Sequence, residues 1–308
     1  MLTFAHCAST RKVLTLTGFS TESVCMRRII FLLGAVVSVS LSFIFSGCCT
    51  GDIRSETPHR KIALHAYVYN KCGTLEDVIA DAKRMGADGV VLSNSITIGK
   101  YKCKVSPYLN KEQKDYIKKL YNDAGLKIAS YGIYPGFKDE AAARAYLSFC
   151  RDMGIEYFTW EGNYKDLPEV SKIAKEYGVK IAIHHHVKRT NKENLYNVPE
   201  GMRHRCMPFD NVFAVIDNGH WARESTDIVR GYRTVGDKIR ILHFKDVSHF
   251  GVDKKTDTAL GEGCLNLPEM LRTLDDMGFD GWFVLENESV FKNPTPAMEK
   301  SVKYLREH

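Results

Sequence analysis

The sequence predicts an α/β fold, a (β/α)8 TIM barrel, and three observations carry that expectation. From Lys61 onward the chain repeats one unit: a short apolar run, a loop, an amphipathic helix and a closing glycine. The apolar runs fall near residues 62, 88, 127, 155, 179, 212, 239 and 281, and about 250 residues for eight strand–helix units is the size of such a barrel. Four of the later runs break off at side chains that are costly to bury alone: Ile181-Ala-Ile-His184, Phe213-Ala-Val-Ile-Asp217, Ile239-Arg-Ile-Leu-His243 and Trp282-Phe-Val-Leu-Glu286. A barrel turns the carboxyl ends of all its strands toward one mouth, where such residues meet. A doubly wound open sheet is the competing architecture. It calls for a phosphate-binding glycine loop after the first strand, and Tyr67-Val-Tyr-Asn-Lys-Cys-Gly73 is not one.

The barrel does not begin at the first residue. Met26-Arg27-Arg28, an apolar run from Ile29 to Phe45 and then Ser46-Gly47-Cys48-Cys49 have the charged, apolar, small-residue order of a secretory leader. Residues 26–48 resemble a bacterial lipoprotein signal, with Cys48 as the lipidated residue and Phe45 where that pattern prefers an aliphatic side chain. The resemblance implies an exported lipoprotein, held on the periplasmic side of a membrane by its lipid alone. A plain membrane anchor is the alternative, and the seventeen residues from Ile29 to Phe45 lie at the lower limit for a spanning helix. Residues 1–25 lack leader character and read as an over-extended start, with Met26 as the initiator. Residues 49–59 are polar and read as a tether, which leaves 60–308 for the barrel.

Within the barrel, Ile62–Tyr67 is the first strand, and Thr74-Leu-Glu-Asp77 is a capping box. The helix it opens has Leu75, Val78, Ile79, Ala82 and Met85 on one face and ends at Gly86. Asp88–Ser93 is the second strand. Asn110-Lys-Glu-Gln113 caps a helix running through Tyr116, Ile117, Leu120 and Ala124 to Gly125. Gly154 and Gly178 close two more helices directly before the strands Ile155–Trp160 and Val179–His184, as glycine does when it takes the left-handed conformation after a last turn. Further helices are expected near Glu224–Val235, Pro268–Met277 and Pro296–Arg306. The polar stretch from Val187 to Asn211 carries Pro199 and Pro208 and reads as an elaborated loop over the site rather than a helix.

A net charge of +6, spread over scattered Lys and Arg, forms no basic stripe interleaved with aromatics, which excludes nucleic acid as a partner. Within residues 60–308 the cysteines are Cys72, Cys103, Cys150, Cys206 and Cys264, an odd number without a CxxC pair. Neither a zinc knuckle nor a redox motif is supported, and mostly buried thiols are expected.

Five motifs occur in order: Ala182-Ile-His-His-His186, Asp217-Asn-Gly-His220, His243-Phe-Lys-Asp246, Gly261-Glu-Gly263 with Asn266-Leu-Pro, and Gly281-Trp-Phe-Val-Leu-Glu286. Together they resemble the xylose-isomerase-like barrels of the sugar phosphate isomerase and epimerase type, over roughly residues 60–306 and most densely from 179 onward. The resemblance implies one divalent ion held by acidic and His residues of the last four strands. Carried over by position, its ligands are His184, Asp217, His243 and Glu286. Many relatives that interconvert sugars have Glu on the fifth strand, where this chain has His184. A His-Asp-His-Glu set suits Mn²⁺, Zn²⁺, Co²⁺ or Fe²⁺ better than Mg²⁺ or Ca²⁺.

Around these positions, alternation along the fifth strand puts His184 and His186 on one side and His185 on the other, packed or solvated outside the barrel. Glu161, His186 and Lys245 are the candidate catalytic side chains. Glu161 stands at the mouth end of the fourth strand and can replace the missing Glu as a base, extra ligand or loop carboxylate. Lys245, two residues past His243, can anchor a sugar oxygen or move a proton, and beside a bound cation its pKa is expected to fall. His220 reads as a residue behind the ligands or on the substrate. Asp217 either caps a loop or joins the shared site. Trp160 and Trp221 border the mouth and can stack on a sugar ring, with aromatic packing as the alternative.

The function expected is a metal-dependent carbohydrate isomerase or epimerase that removes a proton beside a carbonyl. A lyase or dehydratase acting on 3-keto-glycosides shares that first step. A glycan-binding barrel without catalysis is the third reading, and it predicts gaps in the ligand set that the sequence does not have. An exported protein meets glycosides more readily than sugar phosphates, and no dense phosphate cradle is visible. A metal nuclease needs more ligands than the sequence places and a basic groove.

Overall fold

The computed structural model describes residues 58–187, 195–252 and 254–308. The over-extended start, the leader with Cys48 and all but the end of the tether lie outside the described residues. Eight parallel strands close into a barrel in chain order: β1 (Lys61–His65), β2 (Gly89–Leu92), β3 (Lys127–Tyr134), β4 (Tyr157–Trp160), β5 (Lys180–Ile183), β6 (Val212–Asp217), β7 (Ile239–His243) and β8 (Trp282–Leu285). Strand β8 pairs back onto β1, with Ala63 opposite Val284.

The helices follow the predicted punctuation. Both capping boxes form, Thr74 with Asp77 at α1 (Leu75–Met85) and Asn110 with Gln113 at α2 (Lys111–Ala124). Gly86 and Gly125 close these helices at φ of 77° and 72°, a region that costs a residue without Cβ nothing. The ring continues with α3 (Glu140–Met153) and α4 (Leu167–Glu176).

Three expectations need correction. The stretch read as a loop contains α5 (Pro199–Cys206), because Pro199 stands in the first turn, where its missing N–H has no partner to lose. The helix expected near Glu224–Val235 is α7 (Ile228–Val235), which Asp227 caps, and an unexpected helix, α6 (Asn218–Arg223), precedes it, with Ser225 at φ 57° between the two. The later helices α8 (Leu267–Asp276) and α9 (Thr295–Glu307) stand where expected. Of the five cysteines only Cys150 and Cys206 are buried; Cys103 is half-buried, and Cys72 and Cys264 are exposed, all as free thiols.

The barrel interior is built in layers, one residue per strand. Ala63, Val91, Ala129, Tyr157, Ala182, Val215, Ile241 and Val284 form one apolar cluster across all eight strands. Two residues further toward the carboxyl ends, the same inward parity delivers His65, Ser93, Thr159, His184, Asp217, His243 and Glu286, all buried. The functional layer therefore rests directly on the apolar one.

The Gly261-Glu-Gly263 motif has a structural cause. The buried Asp246 carboxylate accepts four backbone N–H groups, from Val247 (2.9 Å), Gly261 (3.1 Å), Gly263 (2.9 Å) and Leu265 (3.1 Å), and so pins the loop that leads into α8. A Cβ at Gly263 lies 2.1 Å from Asp246 Oδ1, so only glycine fits. Asp246→Ala leaves buried donors without partners and is expected to destabilise the fold by about 3 kcal/mol. Gly263→Ala shifts a urea midpoint in the same direction; unchanged midpoints in both variants remove the cradle's role.

Candidate metal centre

Asp217 organises the centre of the mouth. Its Oδ1 accepts from His220 N at 2.9 Å and so caps α6. Its Oδ2 faces inward, 3.8 Å from His184 Nε2, 3.7 Å from His243 Nδ1 and 3.6 Å from His220 Nε2. Both readings of Asp217, cap and site carboxylate, therefore hold, one for each oxygen. Asn218 bonds in both directions with the backbone of Lys245, through Nδ2 to its carbonyl (2.6 Å) and from its N–H to Oδ1 (2.9 Å), which locks the end of β6 to the end of β7.

His184, Asp217 and His243 offer ligand atoms within 4.8 Å of one another, all buried. Ligands about 2.1 Å from a tetrahedral ion stand roughly 3.4 Å apart, so the 3.7 and 3.8 Å spacings here need only a small contraction. His184 Nε2 has no hydrogen-bond partner. Asp217 Oδ2 forms an ion pair with Lys245 Nζ at 3.0 Å that lacks hydrogen-bond geometry, so it too is unsatisfied. Buried polar atoms left in this state are costly unless a ligand completes them. The donor set fits a divalent ion. Glu286 lies beside the group, its Oε2 at 3.1 Å from His243 Nδ1 and 3.0 Å from Lys245 Nζ.

The tautomer of His184 is set from behind. Glu161, from the end of β4, forms a short ion pair with His184 Nδ1 and accepts from His186 Nδ1 at 2.8 Å. A proton on His184 Nδ1 leaves Nε2 as the lone pair facing Asp217, the arrangement in which a carboxylate orients a metal-binding imidazole. Burial alone raises the Glu161 carboxyl, but His184 and His186 outweigh it and hold it at about 2. Glu161 is thus held as an anion, and with His184 and His186 it forms a second group whose ligand atoms lie within 4.8 Å of one another, which fits its reading as an extra ligand as well as that of an orienting carboxylate. His186, half-exposed beside the cavity, is raised from its ordinary value because the hydrogen bond and charge of Glu161 outweigh its burial.

The other predicted residues sort by contact. Lys245 is buried: burial pulls its pKa down, but Asp217 and Glu286 overcome that and raise it, with Asp257 and Glu288 adding to them. Burial likewise lowers His243, yet Glu286 and Asp217 bring it up to about 9. His185 is buried, not solvated; it stacks on Trp221 with centroids 5.4 Å apart and accepts from Asp217 N at 3.1 Å. Trp160 and Trp221 are both fully buried, so neither offers a face to a sugar. Trp221 donates to Asn197 O instead.

Sequence reasoning missed His65, Arg223, Asp257 and Glu288. His65 ends β1 in the same way that His184, Asp217, His243 and Glu286 end theirs, but the strand was read two residues too long. Its Nδ1 accepts from Tyr67 N at 3.1 Å and its Nε2 lies 3.9 Å from Glu286, with burial lowering its pKa to about 3. Above this layer a cavity of about 220 Å³ opens, lined by Tyr67, Ser93, Ser95, Glu161, His186 and Glu288 among others.

A family model described as the xylose isomerase-like TIM barrel matches residues 79–308. The chain belongs to the xylose isomerase-like TIM barrel family. Among relatives, an inosose dehydratase of Yersinia enterocolitica serotype O:8 is 28% identical over 174 residues, covering 49% of this chain and 57% of that protein. The chain thus matches little more than half the length of this relative. Among solved structures of the fold, the IOLI protein with a bound zinc atom superposes with a TM-score of 0.65 at 18% identity, covering 80% of this chain and 98% of the other. D-psicose 3-epimerase of Clostridium cellulolyticum H10, solved with D-tagatose, gives 0.64 at 15% identity, again over 80% and 98%. At these identities the likeness is one of fold.

Two measurements test the centre. After dialysis against chelator, Zn²⁺ or Mn²⁺ is expected to raise the melting temperature of wild type but not of Asp217→Ala or His243→Ala, and Glu161→Gln to weaken ion binding about 10- to 100-fold; equal shifts in all proteins remove the site. His243 must shed its proton to bind an ion, so below about pH 9 apparent affinity falls with acidity, by up to about tenfold per unit. An affinity flat from pH 6 to 8 shows that ion binding displaces no proton from His243 in that range.

Proposed function

We propose that this chain is a divalent-metal-dependent enzyme that removes a proton from the carbon next to a carbonyl of an uncharged carbohydrate. The observation that carries the reading is His186. Its Nδ1–H is held by Glu161, so its Nε2 is the proton acceptor on a ring that lines the cavity, next to the cluster of His184, Asp217 and His243. A ring whose Nδ1–H is oriented by a carboxylate presents its Nε2 for proton abstraction.

His184, Asp217 and His243, with Glu286 beside them, are the residues that would hold the ion, and the ion would supply polarisation of the carbonyl. The chain's own groups account for the rest. Lys245 is fixed between Asp217 and Glu286 at 3.0 Å from each and keeps those buried carboxylates ionised. Ser93, Ser95 and Tyr67 are the hydroxyl-bearing residues among those that line the cavity. No Lys or Arg is among the described residues lining it, and Lys255, nearby, is paired with Glu288 at 2.7 Å. Among the described residues a phosphate ester would face Glu161, Glu286 and Glu288 with no Lys or Arg in the lining, which favours a neutral sugar or polyol.

Proton removal has more than one continuation. Epimerisation returns the proton on the opposite face and needs a second acid or base there, and Glu286 and Glu288 are both paired with Lys245. Isomerisation and β-elimination can work with one base. The inosose dehydratase relatives favour elimination, as a dehydratase or as a lyase on 3-keto-glycosides, with isomerisation as the second reading. Export as a lipoprotein through Cys48 belongs to the same proposal and favours glycosides as substrates.

Incubation with an inosose, a 3-keto-glycoside and a free ketose in D₂O separates these outcomes. Loss of water or of the aglycone marks elimination; deuterium at the carbon beside the carbonyl without cleavage marks isomerisation or epimerisation. His186→Gln is expected to lower exchange by about 10²-fold or more with metal content unchanged. No exchange by the metal-loaded wild type on any of the three substrates overturns the enzymatic reading in favour of a binding barrel.

A further inference from the structure

Three imidazole nitrogens ring Asp217 Oδ2 at nearly one distance, His184 Nε2 at 3.8 Å, His243 Nδ1 at 3.7 Å and His220 Nε2 at 3.6 Å. Distance alone would make His220 as good a ligand as the other two. What separates it lies on its far side. Arg223 NH1 stands 2.8 Å from His220 Nδ1, with both side chains buried. A guanidinium has only donors, so Nδ1 must be the acceptor of that bond. The ring's one proton then sits on Nε2, the nitrogen that points at Asp217.

The geometry assigns Arg223 the role of a positioning residue that fixes His220 as an Nε2–H tautomer whose proton faces Asp217 Oδ2, so that His220 is neither an ion ligand nor a base but holds the inward oxygen of Asp217 in place.

Arg223 is itself held in place. Its NH2 pairs with Asp257 Oδ1 at 2.7 Å, and its Nε donates to Lys254 O at 3.1 Å. Glu288 Oε2 lies 3.8 Å from the same NH2. Asp257 stands on a two-strand hairpin, Asp246–Val247 against Asp257–Thr258, that flanks the mouth. Three residues apart on α6, Arg223 and His220 share one helix face. The sequence element Asp217-Asn-Gly-His220 thus divides its work: Asp217 for the ion, Asn218 for the strand end, His220 for a donor whose direction is set by Arg223.

The test is the nitrogen-15 spectrum of histidine-labelled full-length protein at neutral pH, with His220 assigned by the signal lost in His220→Gln. Expected are an unprotonated Nδ1 and a protonated Nε2, unaltered on addition of Zn²⁺ while the signals of His184 and His243 shift. In Arg223→Met the two His220 nitrogens are expected to move toward averaged positions, and Arg223→Lys, which keeps a donor, to restore part of the difference. Zinc affinity is expected to be unchanged in His220→Gln and lost in His184→Gln. A protonated Nδ1 in wild type, a His220 nitrogen that shifts with zinc as a ligand does, or an Arg223→Met spectrum like wild type overturns the assignment. Each of these readouts is independent of turnover, so a failed D₂O exchange leaves the tautomer standing, and a failed tautomer leaves the base assignment of His186 untouched.

Discussion

Two carboxylates, Asp217 and Glu286, lie buried beneath the mouth of the barrel, and the surrounding layer is arranged to compensate them. An ionised carboxylate removed from water without a partner costs several kcal/mol. Lys245 answers both at once from 3.0 Å, and His243 answers Glu286 from 3.1 Å. The compensation is mutual, because the same carboxylates keep Lys245 and His243 protonated. Four residues at three strand ends thus depend on one another's charges, and none of them can be exchanged for an apolar one without stranding its partners. The unsatisfied atoms of His184 and Asp217 at the centre show where this balance is still incomplete.

Closure of the barrel and the two-residue period of its strands bring these groups to one level. Ala182, Val215, Ile241 and Val284 belong to the apolar plug, and two residues on stand His184, Asp217, His243 and Glu286. This part of the site was readable in the sequence, since a buried run that ends in His, Asp or Glu announces both its parity and its depth. The same rule placed His185 outside the barrel. It did not say what His185 meets there, and the answer, Trp221 and the backbone of Asp217, depends on how α6 folds back against β5.

What the sequence did not yield depends on contacts between loops. Arg223 is an ordinary-looking helix residue until the hairpin carrying Asp257 closes over it. Glu161 reads as a mouth carboxylate, and only the approach of β4 to β5 shows that both of its neighbours are histidines. The two tryptophans failed for a related reason: their positions at strand and helix ends suggested exposure, while Gly162 packs directly on the Trp160 ring and Gly231 on that of Trp221. Glycine close to an aromatic ring in sequence or across a helix is the trace that burial leaves, and it is a weak one.

The replacement of the fifth-strand Glu by His184 therefore reads as a displacement of charge rather than a loss of it. The carboxylate has moved one strand back, to Glu161, where it no longer touches the centre but holds two imidazoles by their Nδ1 atoms. One of these rings faces the ion cluster and the other lines the cavity. A single anion is thus shared between the group that would bind the ion and the group that would take the proton. Any ion that draws electron density from His184 strengthens the pull of its Nδ1 proton on Glu161 and weakens what Glu161 can lend to His186. An ion in the centre would thus lower the basicity of His186, and the two halves of the site would be coupled through one carboxylate at the end of β4.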